Sequence, residues 1–251
     1  METTSVLGLD FVNSNTRRVV ADFLVHLKSG KGLKTVVTPN PEQMVRAWRD
    51  QSFLACLQEA DLRLPDGSGI VWASKQCLER IAGVDVVQGL IDQKSIKGSK
   101  VVIIGGFNYQ NGQETIYPGV SRLKLGSDKS ELYWCQGYQN IAKASENEEK
   151  AVKKFIGDYK PHIVLVALGA PWQEKWLMEH RAFLAKCNVR LAMVVGGAFD
   201  FLTGKVKRAP KKWQKWRLEW LWRLCQEPWR WRRQLALIEF VWRVKWDKKL
   251  R

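Results

Sequence analysis

What most constrains this chain is an alternation. Before residue 205, short β-rich runs alternate with helix-period stretches, as a parallel sheet with crossover helices requires. Strands are expected at Lys34 to Val37, Val101 to Ile104, Leu132 to Cys135, Ile163 to Leu168 and Leu191 to Val195. Glycines close three of them: Gly105-Gly106, Gly169 and Gly196-Gly197. Ligands in open α/β sheets bind beyond such strand ends, so the polar residues found there are the first candidates for a site. The expected class is α/β, a Rossmann-like, mostly parallel sheet core.

Helix starts are well marked. In Thr38-Pro39-Asn40-Pro41-Glu42-Gln43, Asn40 suits the N-cap, Pro41 the first helical position and Gln43 the third, with Met44, Val45 and Trp48 on the apolar face. Asp66 precedes a helix-like run carrying Ile70, Val71, Cys77 and Leu78. Pro171 opens another with Trp176, Leu177, His180 and Leu184. The charged stretch Ser145 to Lys154 reads as the solvated start of a helix.

Charge divides the chain at about residue 205. Lys205 to Arg251 holds 16 of the 41 Lys and Arg against four acids, so it supplies +12 of the formal +16. Eight of the 13 tryptophans also fall there. Residues 1–204 are therefore read as an α/β core and 205–251 as a basic, Trp-rich helical appendage. From Trp213, the apolar residues Trp216, Trp220, Leu221 and Leu224 mark one face of a helix; a second helix follows Pro228, with Leu235, Ile238 and Trp242 on its apolar side. No uncharged apolar run approaches the roughly 18 residues of a spanning helix, and the N-terminus has no signal-peptide pattern. The five cysteines are odd in number and widely spaced, which suggests neither a disulfide framework nor a zinc site and fits a reducing compartment.

Several chemistries lack their signatures. His26, His162 and His180 lie apart from any Ser or Cys nucleophile motif, and no phosphate-binding Gly-x-x-x-x-Gly-Lys loop, dinucleotide fingerprint or convincing Asp-x-Asp metal motif occurs. A metal site is not expected. What remains is a set of polar residues at strand ends: Thr38, Asn40, Asp66, Arg80, Asp85, Gln173, Glu174 and Asp200. Each has a plain structural reading as well. Asp66 and Asn40 can be N-caps, Gln173 a first-turn residue, and Asp200 the end of a glycine turn.

Taken together these segments resemble a known family. Thr38-Pro39-Asn40-Pro41-Glu42, Pro65-Asp66-Gly67, Glu79-Arg80-Ile81-Ala82-Gly83-Val84-Asp85, Leu168-Gly169-Ala170-Pro171-Trp172-Gln173-Glu174 and Gly196-Gly197-Ala198-Phe199-Asp200 occur in order, followed by Arg208-Ala209-Pro210, Leu218-Glu219-Trp220 and Glu227-Pro228-Trp229-Arg230-Trp231-Arg232-Arg233. The chain is similar over most of its length to the WecG/TagA/CpsF family of bacterial glycosyltransferases. That resemblance implies transfer of an N-acetylmannosamine-type sugar from a UDP donor to undecaprenyl-diphosphate-linked N-acetylglucosamine, with inversion and without a metal or other cofactor. It implies a place in teichoic-acid or related cell-envelope polysaccharide synthesis. It places the general base at Asp66 and substrate-binding residues at Thr38, Asn40, Arg80, Gln173 and Asp200. It places diphosphate and acceptor contacts at Arg208, Arg223, Arg230 and Arg233. Relatives also suggest a homo-oligomer in solution that rearranges at the membrane.

The appendage has its own physical reading. Tryptophan beside lysine and arginine is the composition of interfacial helices, since the indole sits at headgroup level and the cations meet anionic lipid. A cytoplasmic enzyme held peripherally on the inner face of the membrane is therefore expected. Two other readings fit the composition: an ordinary helical hairpin whose tryptophans pack on the core, and a basic aromatic surface for nucleic acid or a docking partner. The near-neutral core argues against nucleic acid.

Overall fold

The computed structural model describes residues 1–30, 32–75, 77–92, 99–106, 115–117, 120–123, 131–202, 206–216, 218–228 and 231–246. Its strands are β1 (Thr3–Val6), β2 (Leu9–Val12), β3 (Lys34–Val37), β4 (Leu62–Arg63), β5 (Lys100–Gly105), β6 (Thr115–Tyr117), β7 (Val120–Leu123), β8 (Glu131–Cys135), β9 (Ile163–Ala167) and β10 (Leu191–Val194). The helices of the core are α1 (Thr16–Ser29), α2 (Pro41–Arg49), α3 (Gln51–Glu59), α4 (Ser68–Ala73), α5 (Gly83–Ile91), α6 (Glu146–Tyr159), α7 (Trp172–Glu179), α8 (Arg181–Lys186) and α9 (Ala198–Leu202). The appendage adds α10 (Lys211–Lys215), α11 (Glu219–Gln226) and α12 (Trp231–Trp246).

The main sheet runs in the order β4-β3-β10-β9-β5-β8-β7-β6. From β4 to β8 neighbours are parallel, and β7 and β6 add an antiparallel edge. The five strands expected from the sequence are all present, because parallel strands buried on both faces read as continuous apolar runs. Alternate residues face opposite layers. Val102 and Ile104 pack with Met44, Phe53, Phe155 and Trp176, while Val101 and Ile103 pack with Val19, Phe23, Val86 and Leu90. Helices α2, α3, α6 and α7 thus cover one face, and α1 and α5 the other.

Local chemistry fixes the elements that carry the site. Asn40 caps α2 in a full capping box: its side chain accepts from the Gln43 amide, and the Gln43 side chain accepts from the Asn40 amide. At the end of β5, Gly105 has φ +91°, and a Cβ there would meet the Ala167 carbonyl oxygen at 2.7 Å. Only glycine allows that turn beside β9.

Three expectations need correction, one of them the helix opened by Pro171, which breaks at His180 into α7 and α8 with Leu184 on the second. The run after Asp66 is helical only to Ala73, since Ser74 closes α4 and Lys75 takes a left-handed backbone, leaving Cys77 and Leu78 outside it. The expected single helix from Trp213 to Leu224 is two short ones, folded so that the Trp213 and Trp222 rings meet edge to face at 5.5 Å. The β1–β2 hairpin and the β6–β7 edge lay outside the reading; the hairpin's signal was Leu7-Gly8, a two-residue turn with both φ angles positive.

The appendage lies against the core through α12, which packs on α2 and α4. Phe240 is buried there and stacks on Trp48 at 5.7 Å. The opposite side of α12 is apolar and open: Leu235, Ile238, Val241, Trp242 and Trp246 are each between 45 % and 67 % exposed. The expected apolar side is therefore real and faces outward. No described helix is long and apolar enough to cross a membrane.

Candidate active site

The carboxyl ends of the strands open into one cleft of about 930 Å³. Thr38 and Asn40 follow β3, Asp66 follows β4, Gly105 and Gly106 end β5, Gln173 follows β9, and Gly196, Gly197 and Asp200 follow β10; all line the cleft with Arg80. The appendage supplies another wall through Trp220, Arg223, Arg233, Leu237 and Phe240. The sequence-predicted core residues are thus brought together, although 162 positions separate Thr38 from Asp200.

Asp66 does not cap α4. Its Oδ1 accepts from the next amide, Gly67, at 2.7 Å, and the N-cap position of the helix is Gly67, without a side-chain cap bond. The Asp66 side chain is 28 % exposed, open to the cleft on one side only. Burial pushes its carboxyl above the ordinary aspartate range; the Arg80 guanidinium and the amides of Gly67 and Gly83 oppose that push, and Glu219 adds to it. A carboxylate with a raised pKa and a free edge in a cleft can take a proton from a hydroxyl.

Behind the cleft wall lies a neutral network. Glu174 is fully buried and its Oε1 accepts from the Gln43 side chain at 2.9 Å and from the Gln173 side chain at 2.8 Å. Since Gln43 also serves the Asn40 cap, this one carboxyl ties the start of α2 to the start of α7. Burial raises the Glu174 pKa to about 7. Its function is positional: it fixes Gln173 against Gly196, where a Cβ would stand 3.6 Å from the Gln173 Oε1.

The appendage arginines rest on carboxylates. Arg208 forks onto Asp85, with its Nη2 2.9 Å from Oδ2, and places Nε 3.4 Å from Glu219; it does not line the cleft itself. Arg223 donates to Glu227 at 2.8 Å, lies 3.8 Å from Asp200, and covers the Phe201 ring at 4.9 Å. Arg233 donates to Glu42 at 2.7 Å. Arg230 lies outside the described residues. Among the described residues, no group of three or more His, Cys, Asp or Glu side chains is placed to hold a metal ion.

Comparison with known proteins places the chain in a lineage. The profile described as the glycosyl transferase WecG/TagA/CpsF family matches residues 4–251. The chain belongs to this family. This WecG/TagA/CpsF member is 33% identical, over 96% of its own length and 90% of the relative's, to a protein of Bacillus spizizenii named N-acetylglucosaminyldiphosphoundecaprenol N-acetyl-beta-D-mannosaminyltransferase. It is 30% identical to the Bacillus subtilis protein of the same name, over 99% of this chain and 93% of that one. The WecG/TagA/CpsF chain is accordingly a glycosyltransferase.

Of two further charged residues here, the sequence pointed to Asp85 among the strand-end polar residues but not to Glu219. Glu219 bridges Arg80 and Arg208, and Asp85 anchors Arg208. Glu219 stands in the Leu218-Glu219-Trp220 segment that marks the family resemblance. Locally, though, it reads as an acid favouring the first turn of a helix.

Proposed function

We propose that this glycosyltransferase moves an N-acetylmannosamine-type sugar from a UDP donor to undecaprenyl-diphosphate-linked N-acetylglucosamine, in one inverting displacement with Asp66 as base. The sugar and acceptor are those in the names of the two relatives. The observation that carries the reading is the meeting, in one cleft, of a single pKa-raised carboxylate with cationic side chains from the appendage. At about 930 Å³ the cleft is of nucleotide-sugar size.

The chemistry follows from charge. An acceptor hydroxyl attacks the anomeric carbon, its proton passes to an Asp66 carboxylate oxygen, and the bond from that carbon to the diphosphate oxygen breaks with its electron pair leaving on UDP. The developing negative charge is met by Arg223 and Arg233, and the arginine forks do the work a divalent cation does elsewhere. Thr38, Asn40, Gln173 and Asp200 orient the sugars from the strand ends. The acceptor is held at a membrane surface by α12, whose open apolar side carries Trp242 and Trp246 beside Arg243 and Lys245. Four cations engaged with anionic lipid supply about 4 kcal/mol, close to a thousandfold enrichment.

Asp66→Asn tests the base. Turnover of UDP-N-acetylmannosamine with a short-chain lipid-diphosphate N-acetylglucosamine should fall by about 10²–10⁴-fold, while UDP binding and the melting profile are retained. Near-normal turnover would reject Asp66. Weighing the products formed from a panel of UDP sugars tests the choice of sugar.

A further inference from the structure

We infer that Glu219, delivered by the appendage, is a positioning residue that holds Arg80 away from Asp66 and so keeps that carboxylate free to act. The inference rests on the reading of Asp66 as base. Arg80 lies between two carboxylates. Its Nη1 donates to Glu219 Oε2 at 2.8 Å, whereas its Nε stands 3.6 Å from Asp66 Oδ1, beyond hydrogen-bond reach. That Nε is buried and finds no acceptor among the described residues. A guanidinium next to a carboxylate ordinarily closes into a two-bond fork. Here the fork is left open, and an unmade buried hydrogen bond is tolerated beside the base.

The reason lies in the appendage. Glu219 stands in the first turn of α11, and its other oxygen faces Arg208 Nε at 3.4 Å. Arg208 is in turn forked onto Asp85 in the first turn of α5. The charges run Asp66, Arg80, Glu219, Arg208, Asp85 in alternating sign. Only Glu219 and Arg208 come from beyond residue 205. With both in place, Arg80 is pulled toward α11. Without Glu219, nothing restrains the guanidinium from closing on Asp66, where it would occupy the lone pairs that must receive the proton and depress basicity. Arg80 and Glu219 are charged groups that bear on Asp66; Arg208 and Asp85 stand behind them, while Asp200 and Glu227 with Arg223, and Glu42 with Arg233, form further charged contacts at the cleft. Appendage docking therefore does more than add arginines: it sets the state of the base.

The test is the pH profile of kcat/KM with UDP-N-acetylmannosamine and a short-chain lipid-diphosphate acceptor. Activity rises with pH as the base loses its proton, so a less basic Asp66 moves the acidic limb to lower pH and lowers the plateau. Glu219→Gln keeps the side-chain shape and removes the charge. It should shift the limb down by about one pH unit and reduce the plateau about tenfold, with the melting temperature near that of the unaltered chain. Glu219→Asp, which keeps the charge, should fall between the two. In an Arg80→Met background, adding Glu219→Gln should move the limb by much less than it does with Arg80 present, since only the direct effect of the Glu219 charge on Asp66 is then lost.

An unmoved limb in Glu219→Gln, with or without a lower plateau, would overturn the inference and leave Glu219 a brace. Should Glu219→Gln not fold, the Glu219→Asp profile decides on the same criterion. If Asp66→Asn itself turns over normally, the base assignment has failed instead, which the Glu219 profiles alone would not show.

Discussion

On the sheet side of the cleft, Thr38, Gln43, Gln173 and Glu174 are buried, and the last three are joined by short amide-to-carboxyl hydrogen bonds. On the appendage side, Arg208, Arg223 and Arg233 are partly exposed and each rests on a carboxylate. The first wall is held by buried hydrogen bonds. The second is held by ion pairs that, when exposed, contribute roughly 1 kcal/mol or less each, and that a diphosphate can replace oxygen for oxygen. A preformed wall thus faces an exchangeable one, an arrangement that fits the proposed orienting of sugars on one side and receipt of phosphate charge on the other.

Breaking the exchangeable wall should have the largest effect. Removal of residues 205–251 is expected to lower turnover by about a thousandfold or more, since several charge-stabilising groups leave together. Turnover of a water-soluble acceptor analogue should fall as well. Normal turnover of the soluble analogue by the truncated chain would reduce the appendage to an anchor.

Loosening the joint between the walls comes next. Phe240→Ala removes a buried ring from the contact with Trp48 and should weaken α12 docking by about 4 kcal/mol. Faster amide exchange in α12, with exchange in β9 and β10 unchanged, would report it.

The preformed wall can be probed by pH. The buried Glu174 has a pKa of about 7 against an ordinary 4.5, so its folded form holds a proton that the unfolded form gives up. The sign is fixed by linkage: this stability is fully present below pH 4.5 and is lost as pH rises through about 7. Glu174→Gln should flatten that decline, which amounts to at most roughly 3 kcal/mol. Urea titrations at pH 5 and pH 8 measure it, and an unchanged slope would show that Glu174 is ionised in the folded chain.

The smallest effect on stability is expected on the outer side of α12. Ile238→Asp with Trp242→Asp should change folding by less than about 1 kcal/mol, yet abolish salt-sensitive co-sedimentation with anionic liposomes. Retained binding would place the lipid contact elsewhere.

The two walls also differed in how far the sequence disclosed them. The sheet tips were legible because their signals are local: apolar runs ending at glycine, and Asn40-Pro41 with Gln43 at capping-box spacing. That Asp66 does not cap α4 was not legible locally, and follows from which amide its carboxyl meets. Glu174 was legible only as one of the strand-end polar residues; its complete burial was not, because burial depends on what packs over α7. Glu219 was hidden more deeply. Its hydrogen-bonded partner Arg80 is 139 residues away, so no spacing rule connects them. The β4 strand, two residues long, is too short to carry a periodic signal.

One consequence of α12 is mechanical. Its 16 residues form a rod about 24 Å long, with the Phe240–Trp48 stack as fulcrum, Trp246 some 9 Å to one side and Arg233 some 10 Å to the other. The arms are nearly equal. A tilt that draws the Trp246 end outward by an ångström swings Arg233 about as far the opposite way, off Glu42 and across the mouth of the cleft. The helix can thus act as a seesaw, turning a pull on its outer face into a displacement at the cleft wall.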